Sequence, residues 1–138
     1  MAKNIPVYDF KGYKLLYTSY SRKKSTPVEY FIIKTDNSIF DENSKIFEII
    51  LEVSIKFIDD DISKFIFSSE FKINDINWKN QMEKEMLESL SVSVTFPYIR
   101  EKIYSITDDS RGAFVVPIID LRNVNLAKGA KFSPVYQD

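Results

Sequence analysis

Two glutamates, Glu48 and Glu52, are four residues apart and are the first candidates for chemistry. Paired carboxylates can divide the acid and base roles of a hydrolytic enzyme between them. On a β-strand, however, two residues at this spacing lie about 13 Å apart, which is too far for them to share a proton. We therefore interpret both side chains as solvent-facing.

A run of three aspartates, Asp59 to Asp61, offers the oxygen ligands that a calcium ion prefers. The run lacks the spaced ligands and the glycine of an EF-hand loop. A solvated turn between two strands is the better interpretation, so the sequence predicts no metal site here.

The densest basic group is Arg22, Lys23 and Lys24, which adjoins Tyr17 and Tyr20. Basic residues interleaved with aromatic ones can bind single-stranded nucleic acid through phosphate contacts and stacking. The group is small, however, and a formal net charge of -1 gives no general attraction to nucleic acid. We expect no nucleic-acid partner.

Histidine and cysteine are both absent from the 138 residues. Their absence removes the commonest general base, the commonest zinc ligands and the thiol nucleophile. It also excludes a disulfide framework, which makes the cytoplasm the expected location. No apolar run approaches the roughly 20 residues that span a bilayer, so we expect no membrane insertion. The sequence predicts a protein that is not an enzyme and needs no cofactor.

The composition indicates a folded domain, with 44% hydrophobic residues, eleven phenylalanines and eight tyrosines. A chain this rich in aromatic residues does not remain disordered. Its length suits one domain with a substantial core. We predict a single domain over residues 1–138, with residues 127–138 as a flexible tail.

Apolar and polar side chains alternate along four segments, as they do in half-buried β-strands. Gly12 interrupts the first segment, which suggests a β-bulge. Short polar turns join the segments, including the stretch TDNS that begins at Thr35, and this order predicts an antiparallel meander. The predicted strands are Tyr8–Ser19, Val28–Thr35, Ile46–Phe57 and Ile62–Ile73.

After Asn74 the apolar residues recur at helical spacing. Asp75 or Asn77 is the predicted cap of this helix, and the β-branched stretch from Ser91 to Thr95 predicts a break or kink. Pro97 would then fit the first turn of a second helical segment, which ends near Gly112. Strands followed by helix make this an α+β protein.

The stretch from Thr95 to Gly112, TFPYIREKIYSITDDSRG, carries a more specific pattern. It contains Phe96-Pro97-Tyr98-x-Arg100-Glu101, and Val116-Pro117-Ile118 follows its glycine. This order resembles the SecB family of bacterial export chaperones, whose "FPYxRE" signature leads a long helix. Ile46 to Val53 and Ser63 to Phe67 are similar to the family's third and fourth strands. The resemblance covers about Phe10 to Leu126.

The resemblance implies an α+β subunit with a four-stranded antiparallel sheet followed by a long helix, broken or continuous. Such subunits pair, and the pairs assemble through their long helices as a dimer of dimers, a homotetramer. Only about twenty residues follow the element Pro117-Ile118-Ile119-Asp120, so we expect the family's C-terminal helix to be short or absent.

The resemblance also implies a function. SecB-like chaperones hold unfolded or nascent polypeptides in hydrophobic grooves without ATP, and the export members deliver them to SecA through acidic residues on the sheet. This chain has basic residues Arg22 to Lys24 near that surface, so we do not expect SecA delivery. The predicted function is an ATP-independent holdase. The alternative is an adaptor or chaperone of one protein, such as the antitoxin of a toxin–antitoxin system, a role that some relatives have.

Aromatic residues suit a groove for unfolded chains, because each ring offers a large apolar area at modest entropic cost. Ordinary core packing is the alternative for each of them. The predicted groove residues are Tyr30, Phe31, Phe65, Phe67, Trp78 and Phe114. The predicted oligomer interface lies on the helix that follows Pro97 and comprises Tyr98, Ile99, Ile103, Tyr104 and Ile106.

Overall fold

The computed structural model describes residues 7–74, 79–117, 119 and 125–133. In this part of the chain, five antiparallel strands form one sheet and a single long helix packs on the sheet. No helix in these ranges is long and apolar enough to cross a membrane. The elements are β1 (Tyr8–Ser19), β2 (Val28–Asp41), β3 (Ile46–Phe57), β4 (Ile62–Ile73), α1 (Gln81–Thr107) and β5 (Ala130–Phe132).

The order of strands across the sheet is β1-β4-β3-β2-β5, so β3 lies at the centre. Side chains of β3 alternate strictly between buried and partly exposed, from Ile46 to Phe57. The buried side chains form one core with the inward residues of α1, including Leu87, Phe96 and Ile99. The predicted α+β architecture, a sheet followed by a long helix, is confirmed.

The predicted first and last residues of the strands are confirmed except at the end of β2. The pairing of β1 with β4 shifts register between Phe10 and Gly12, where Gly12 has a φ of +129°, so the predicted bulge is present. The predicted end of β2 at Thr35 is wrong, because the strand continues to Asp41. Asn37 has a φ of +43° beside a second register shift, and asparagine tolerates this left-handed region. The turn-like sequence therefore makes a bulge rather than a turn.

Asn80 caps the N-terminus of α1, and its side chain accepts hydrogen bonds from the backbone N–H groups of Met82 and Glu83. The predicted caps, Asp75 and Asn77, lie outside the described residues. The predicted break between Ser91 and Thr95 is wrong, because α1 is continuous and contains Pro97 in its interior.

Serine and threonine hydroxyls in the stretch from Ser91 to Thr95 bond to carbonyl groups of the same helix. Ser91 Oγ donates to the carbonyl of Leu87 at 2.8 Å, and Thr95 Oγ1 donates to the carbonyl of Ser91 at 2.7 Å. Both side chains are buried against the sheet. Their hydroxyls are satisfied inside the helix, which removes the cost of burying them there.

One buried contact joins α1 to β4. Thr95 Oγ1 lies 2.7 Å from Ser69 Oγ. The Thr95 proton is already donated to Ser91, so Ser69 must be the donor in this pair. Both side chains have no exposed surface.

Replacing Thr95 by valine is expected to lower the free energy of unfolding by about 1–3 kcal/mol, because the Ser69 hydroxyl would stay buried without an acceptor. Adding Ser69→Ala to this variant should recover part of the loss. Urea unfolding of both single variants and the double variant measures the coupling. Strictly additive losses would mean that the two hydroxyls do not interact.

The sheet has one strand more than predicted. β5 pairs with β2 through Phe31↔Phe132, Ile32↔Lys131 and Ile33↔Ala130. A three-residue strand is too short to show alternation, which is why the sequence pattern did not reveal it. Three residues of the predicted flexible tail, Ala130–Phe132, form this strand, while residues 134–138 lie outside the described part. The described residues after Thr107 form no helix.

Candidate functional site

Four phenylalanine rings meet where β5 joins the sheet, and we call Phe31, Phe57, Phe114 and Phe132 the aromatic cluster. The Phe31 ring centroid lies 5.1 Å from that of Phe132 and 6.3 Å from that of Phe114, which in turn lies 5.7 Å from Phe57. Phe31 and Phe57 are buried, whereas Phe114 and Phe132 are half-buried. The cluster therefore has a buried floor and two rings that reach the surface.

Strand register sets the position of two of these rings. Phe132 stands directly opposite Phe31 across the β2–β5 pair, and their ring planes differ by 20°. Successive side chains of a strand point to opposite faces, so Lys131 extends over the other face of the sheet. There its Nζ atom lies 4.2 Å from the centroid of the Tyr30 ring. β5 thus covers one aromatic ring on each face.

The segment after α1 positions Phe114. The backbone N–H of Phe114 donates to Thr107 Oγ1 at 2.9 Å, which ties the segment to the last turn of the helix. Gly112 has a φ of +89°, a backbone conformation that side chains with a Cβ atom rarely adopt. The chain reverses at this glycine and brings Phe114 back onto the sheet.

Arg22 connects the same segment to the turn between β1 and β2. Its guanidinium donates to the carbonyl of Gly112 at 2.6 Å and to the carbonyl of Thr26 at 2.6 and 3.2 Å. The guanidinium carbon also lies 4.4 Å from the centroid of the Phe57 ring. Arg22 thus directs three of its five N–H donors to carbonyl groups of the subunit itself.

A second arginine completes this connection. Arg111 lies over the Tyr20 ring at 4.4 Å and donates to the backbone carbonyl of Arg22 at 2.5 Å. It also binds the carboxylate of Asp109, and this hydrogen bonding lowers the pKa of Asp109 to about 2. The carboxylate stays ionised at neutral pH and orients the Arg111 side chain.

Three predicted groove residues belong to the core. Phe31, Phe65 and Phe67 are exposed by 1%, 0% and 0% of their surface. They are members of the core cluster that α1 also joins, so they offer no surface to a ligand in this subunit. The prediction that they line an exposed groove is corrected, although Phe31 forms the floor of the aromatic cluster.

The other predicted groove residues fall in different places. Phe114 is half-buried in the aromatic cluster, and Tyr30 is half-buried beneath Lys131 on the opposite face. Trp78 lies outside the described residues. The structure therefore brings Phe31 and Phe114 together and places Tyr30 next to Phe31 along β2. Sequence reasoning missed Phe57, the last residue in the alternation of β3, and Phe132, for which no pattern exists.

The predicted interface residues also divide into two groups. Ile99 and Ile103 have no exposed surface because they pack in the core, so their assignment to an interface is corrected. Ile106 is half-buried against the core, while Tyr98 and Tyr104 are each 44% exposed. The Tyr98 ring packs against β1, and its centroid lies 5.2 Å from that of the Phe10 ring and 5.7 Å from that of the Tyr13 ring.

Other large apolar side chains of α1 are exposed as well. We call them, together with the two tyrosines, the outer face of α1: Met82, Met86, Val94, Tyr98 and Tyr104. A helix that packs on one sheet needs one apolar stripe, and these residues lie outside that stripe. Tyr98 contacts Phe10 and Tyr13 on one side, and the exposed parts of all five side chains are apolar surface that faces away from this subunit's core.

A polar cavity of about 400 Å³ lies between the start of α1 and the segment at Leu126. Its lining includes Glu85, Glu88, Thr35 and Asn125. Glu88 accepts a hydrogen bond from Ser38 of β2. Within the described ranges no three potential metal ligands group closely enough to hold an ion.

Neither a protein-family model nor a curated protein matches the sequence. The fold does match solved structures. The Mycobacterium tuberculosis SecB-like chaperone Rv1957, solved in complex with a ChAD peptide from the Rv1956 HigA1 antitoxin, superposes with a TM-score of 0.63. The match covers 82% of this chain and 91% of that one, at 16% sequence identity. The chain has the SecB-like fold.

The resemblance inferred from the FPYxRE stretch is thus confirmed as a fold. A second match is to a protein of unknown function from Streptococcus agalactiae, at 17% identity over 83% of this chain and 96% of that one. Its TM-score of 0.37 is too low to carry an argument.

Proposed function

We propose that this SecB-like subunit is a chaperone that binds unfolded polypeptide segments at the aromatic cluster without hydrolysing ATP. The supporting observation is the cluster itself, in which half-buried Phe114 and Phe132 lie over a buried aromatic floor at the edge of a sheet. An edge of this kind gives an extended chain both backbone hydrogen bonds and apolar contact.

The energies suit reversible holding of a client. A fully covered aromatic or aliphatic side chain contributes roughly 1.5–3 kcal/mol, and a few such contacts have to offset the cost of ordering the bound segment. The net free energy of binding that is left is about -8 kcal/mol for a micromolar complex. Binding the unfolded form in preference to the native form keeps the client from folding or aggregating by mass action.

A second candidate is the chaperone of one protein, such as an antitoxin. It is favoured by one observation, the antitoxin peptide bound to the structurally similar chaperone Rv1957. The two candidates use the same site and differ in the range of clients. A holdase acts on unrelated unfolded chains, whereas a dedicated chaperone ignores them.

The proposal includes assembly of a homo-oligomer, a dimer of dimers, through the outer face of α1. Met82 is 80% exposed and Met86 57% near the start of α1, and Tyr98 and Tyr104 are each 44% exposed further along the same helix. Apolar surface of this kind usually marks an interface. Tyr98 and Tyr104 keep their predicted role, and Ile99 and Ile103 support the helix from the core side.

The remaining parts of the proposal concern partners and location. The outer sheet surface mixes the acidic residues Glu48 and Glu52 with Lys56 and Lys64, and Lys64 pairs with Glu52 at 3.2 Å. Such a mixed surface is unlike the acidic one that SecA binding implies, so the proposal leaves SecA out. It places the protein in the cytoplasm and assigns it no enzymatic activity.

Replacing Phe114 by serine is expected to weaken the binding of an unfolded client by about tenfold to a hundredfold, because one ring of the cluster is lost. The matched control is Val115→Ser, which removes an apolar side chain that is 58% exposed beside the cluster. Two unrelated, chemically denatured clients are tested by light scattering as they aggregate, and the oligomer mass of each variant is measured separately without client.

Suppression of aggregation for both clients supports the holdase, and no effect on either contradicts it. Equal behaviour of Phe114→Ser and Val115→Ser would place the binding site elsewhere. A monomer mass for the parent protein at micromolar concentration would contradict assembly through α1.

A further inference from the structure

β5 is a short strand of the same chain that covers the aromatic floor of the candidate site. Its side chains place Phe132 on Phe31 at one face and Lys131 over Tyr30 at the other. Its backbone lies along β2 from Phe31 to Ile33. These are the ring surfaces and the edge groups that an extended client would need.

Few interactions hold β5 in place. It shares three register pairs with β2, whereas twelve join β2 to β3. The connection before it turns at Gly129, which has a φ of +85° and donates to the carbonyl of Leu126 at 3.0 Å. The same carbonyl accepts from the backbone N–H of Thr35, also at 3.0 Å. Short strands at a sheet edge open at lower free energy than central strands.

We propose that a client segment binds as an antiparallel strand on β2 in place of β5, so that β5 is an internal competitor of the client. This inference rests on the proposed function. A segment added outside β5 would leave the Phe31 and Tyr30 rings covered, so only exchange with β5 gives it both surfaces. β-strand addition to an exposed edge is an established mode of peptide recognition.

β5 also indicates the chemistry of the preferred segment. An aromatic residue takes the position of Phe132 and stacks on Phe31, and the residue before it is basic and lies over Tyr30, as Lys131 does. The two side chains point to opposite faces because a strand alternates. The site therefore favours extended segments with a basic residue followed by an aromatic one.

Competition has a measurable consequence for affinity. The apparent affinity for a client is proportional to the fraction of subunits in which β5 has left β2, so it is low when that fraction is small. A bond that fixes β5 on β2 should weaken client binding, and a substitution that loosens β5 should strengthen it. The first effect can be tested with an engineered disulfide because the chain contains no other cysteine.

The first test closes the site with a disulfide. Ile32 and Lys131 stand directly opposite each other, and neither is in the buried core. Directly opposed residues of an antiparallel pair have Cα separations of about 4.5–5.5 Å, which suits a disulfide. The variant Ile32→Cys/Lys131→Cys is oxidised and titrated with fluorescein-labelled, reduced and carboxymethylated lysozyme, which stays unfolded.

We expect the oxidised variant to bind this probe at least about tenfold more weakly than the same variant after reduction. The single variant Ile32→Cys, treated in the same way, should show no redox effect. Equal affinity of the oxidised and reduced double variant overturns the inference.

The second test loosens β5. Phe132→Ser removes the stack on Phe31 and should raise the affinity for the probe about threefold to tenfold, whereas the exposed control Lys128→Ser should leave it unchanged. A synthetic peptide with the sequence of residues 128–133, KGAKFS, should displace the probe, and KGAKSS should not.

The outcomes separate the two proposals. If the parent protein and Phe132→Ser both fail to bind the probe, the proposed function fails. If the parent protein binds it while Phe132→Ser weakens binding, Phe132 itself contacts the client and the inference alone is overturned.

Discussion

Replacing Phe65 by serine is expected to unfold the subunit. The ring has no exposed surface, and Phe65 pairs with Val53 of β3 and Thr18 of β1 in the middle of the sheet. Losing a buried phenylalanine costs roughly 3–5 kcal/mol, and a buried serine hydroxyl without a partner costs about 1–3 kcal/mol more. The sum is comparable with the whole stability of a domain, about 5–15 kcal/mol.

Circular dichroism and urea unfolding measure this effect. The matched control is Ile62→Ser on the same strand, because Ile62 is 48% exposed and its loss should change the free energy of unfolding little. If Phe65→Ser is folded with normal stability but binds clients weakly, Phe65 lines a groove and is not part of the core.

Adjacent substitutions at Phe96 and Pro97 are expected to change stability in opposite directions. Phe96 is 6% exposed and belongs to the core, so Phe96→Ala should lower the free energy of unfolding by roughly 3–5 kcal/mol. Pro97 is exposed and lies inside α1, where it has no N–H to donate to the carbonyl of Ser93.

Alanine at position 97 restores that donor, so Pro97→Ala should raise the free energy of unfolding by about 1 kcal/mol or more. The gain is reduced by the greater freedom that alanine gives the unfolded chain, about 0.4–1 kcal/mol. Thermal and urea unfolding of the two variants test the pair. Equal small effects would mean that Phe96 is not core, and a loss of stability in Pro97→Ala would mean that the proline stabilises the helix.

The strands were predictable because their cause is local. Each of β1 to β4 turns its more apolar side toward the core, and in β3 this gives a strict period of two through residues such as Phe47, Ile49 and Leu51. The resemblance carried by Phe96-Pro97-Tyr98 led to the same fold, and the structural match to Rv1957 confirms it. Both signals depend on several residues acting together.

The site was harder to predict because a groove and a core require the same residue types. Phe65 and Phe114 are both apolar and aromatic, and their burial depends on where α1 and the segment after Gly112 lie. That placement depends on contacts such as Arg22 to Gly112, 90 residues apart in the sequence. β5 escaped prediction for a related reason, since its pairing with β2 is a tertiary contact of three residues.

The central position of β3 has a consequence for how the chain exchanges its amide protons with water. β3 is hydrogen-bonded to β4 on one side and β2 on the other, whereas β5 is bonded to β2 alone. Exchange within β3 therefore requires the whole subunit to unfold, while exchange within β5 requires only that its three residues detach. One subunit therefore has a high free energy of opening at β3 and a low one at β5. A single free energy of unfolding describes β3 but not β5.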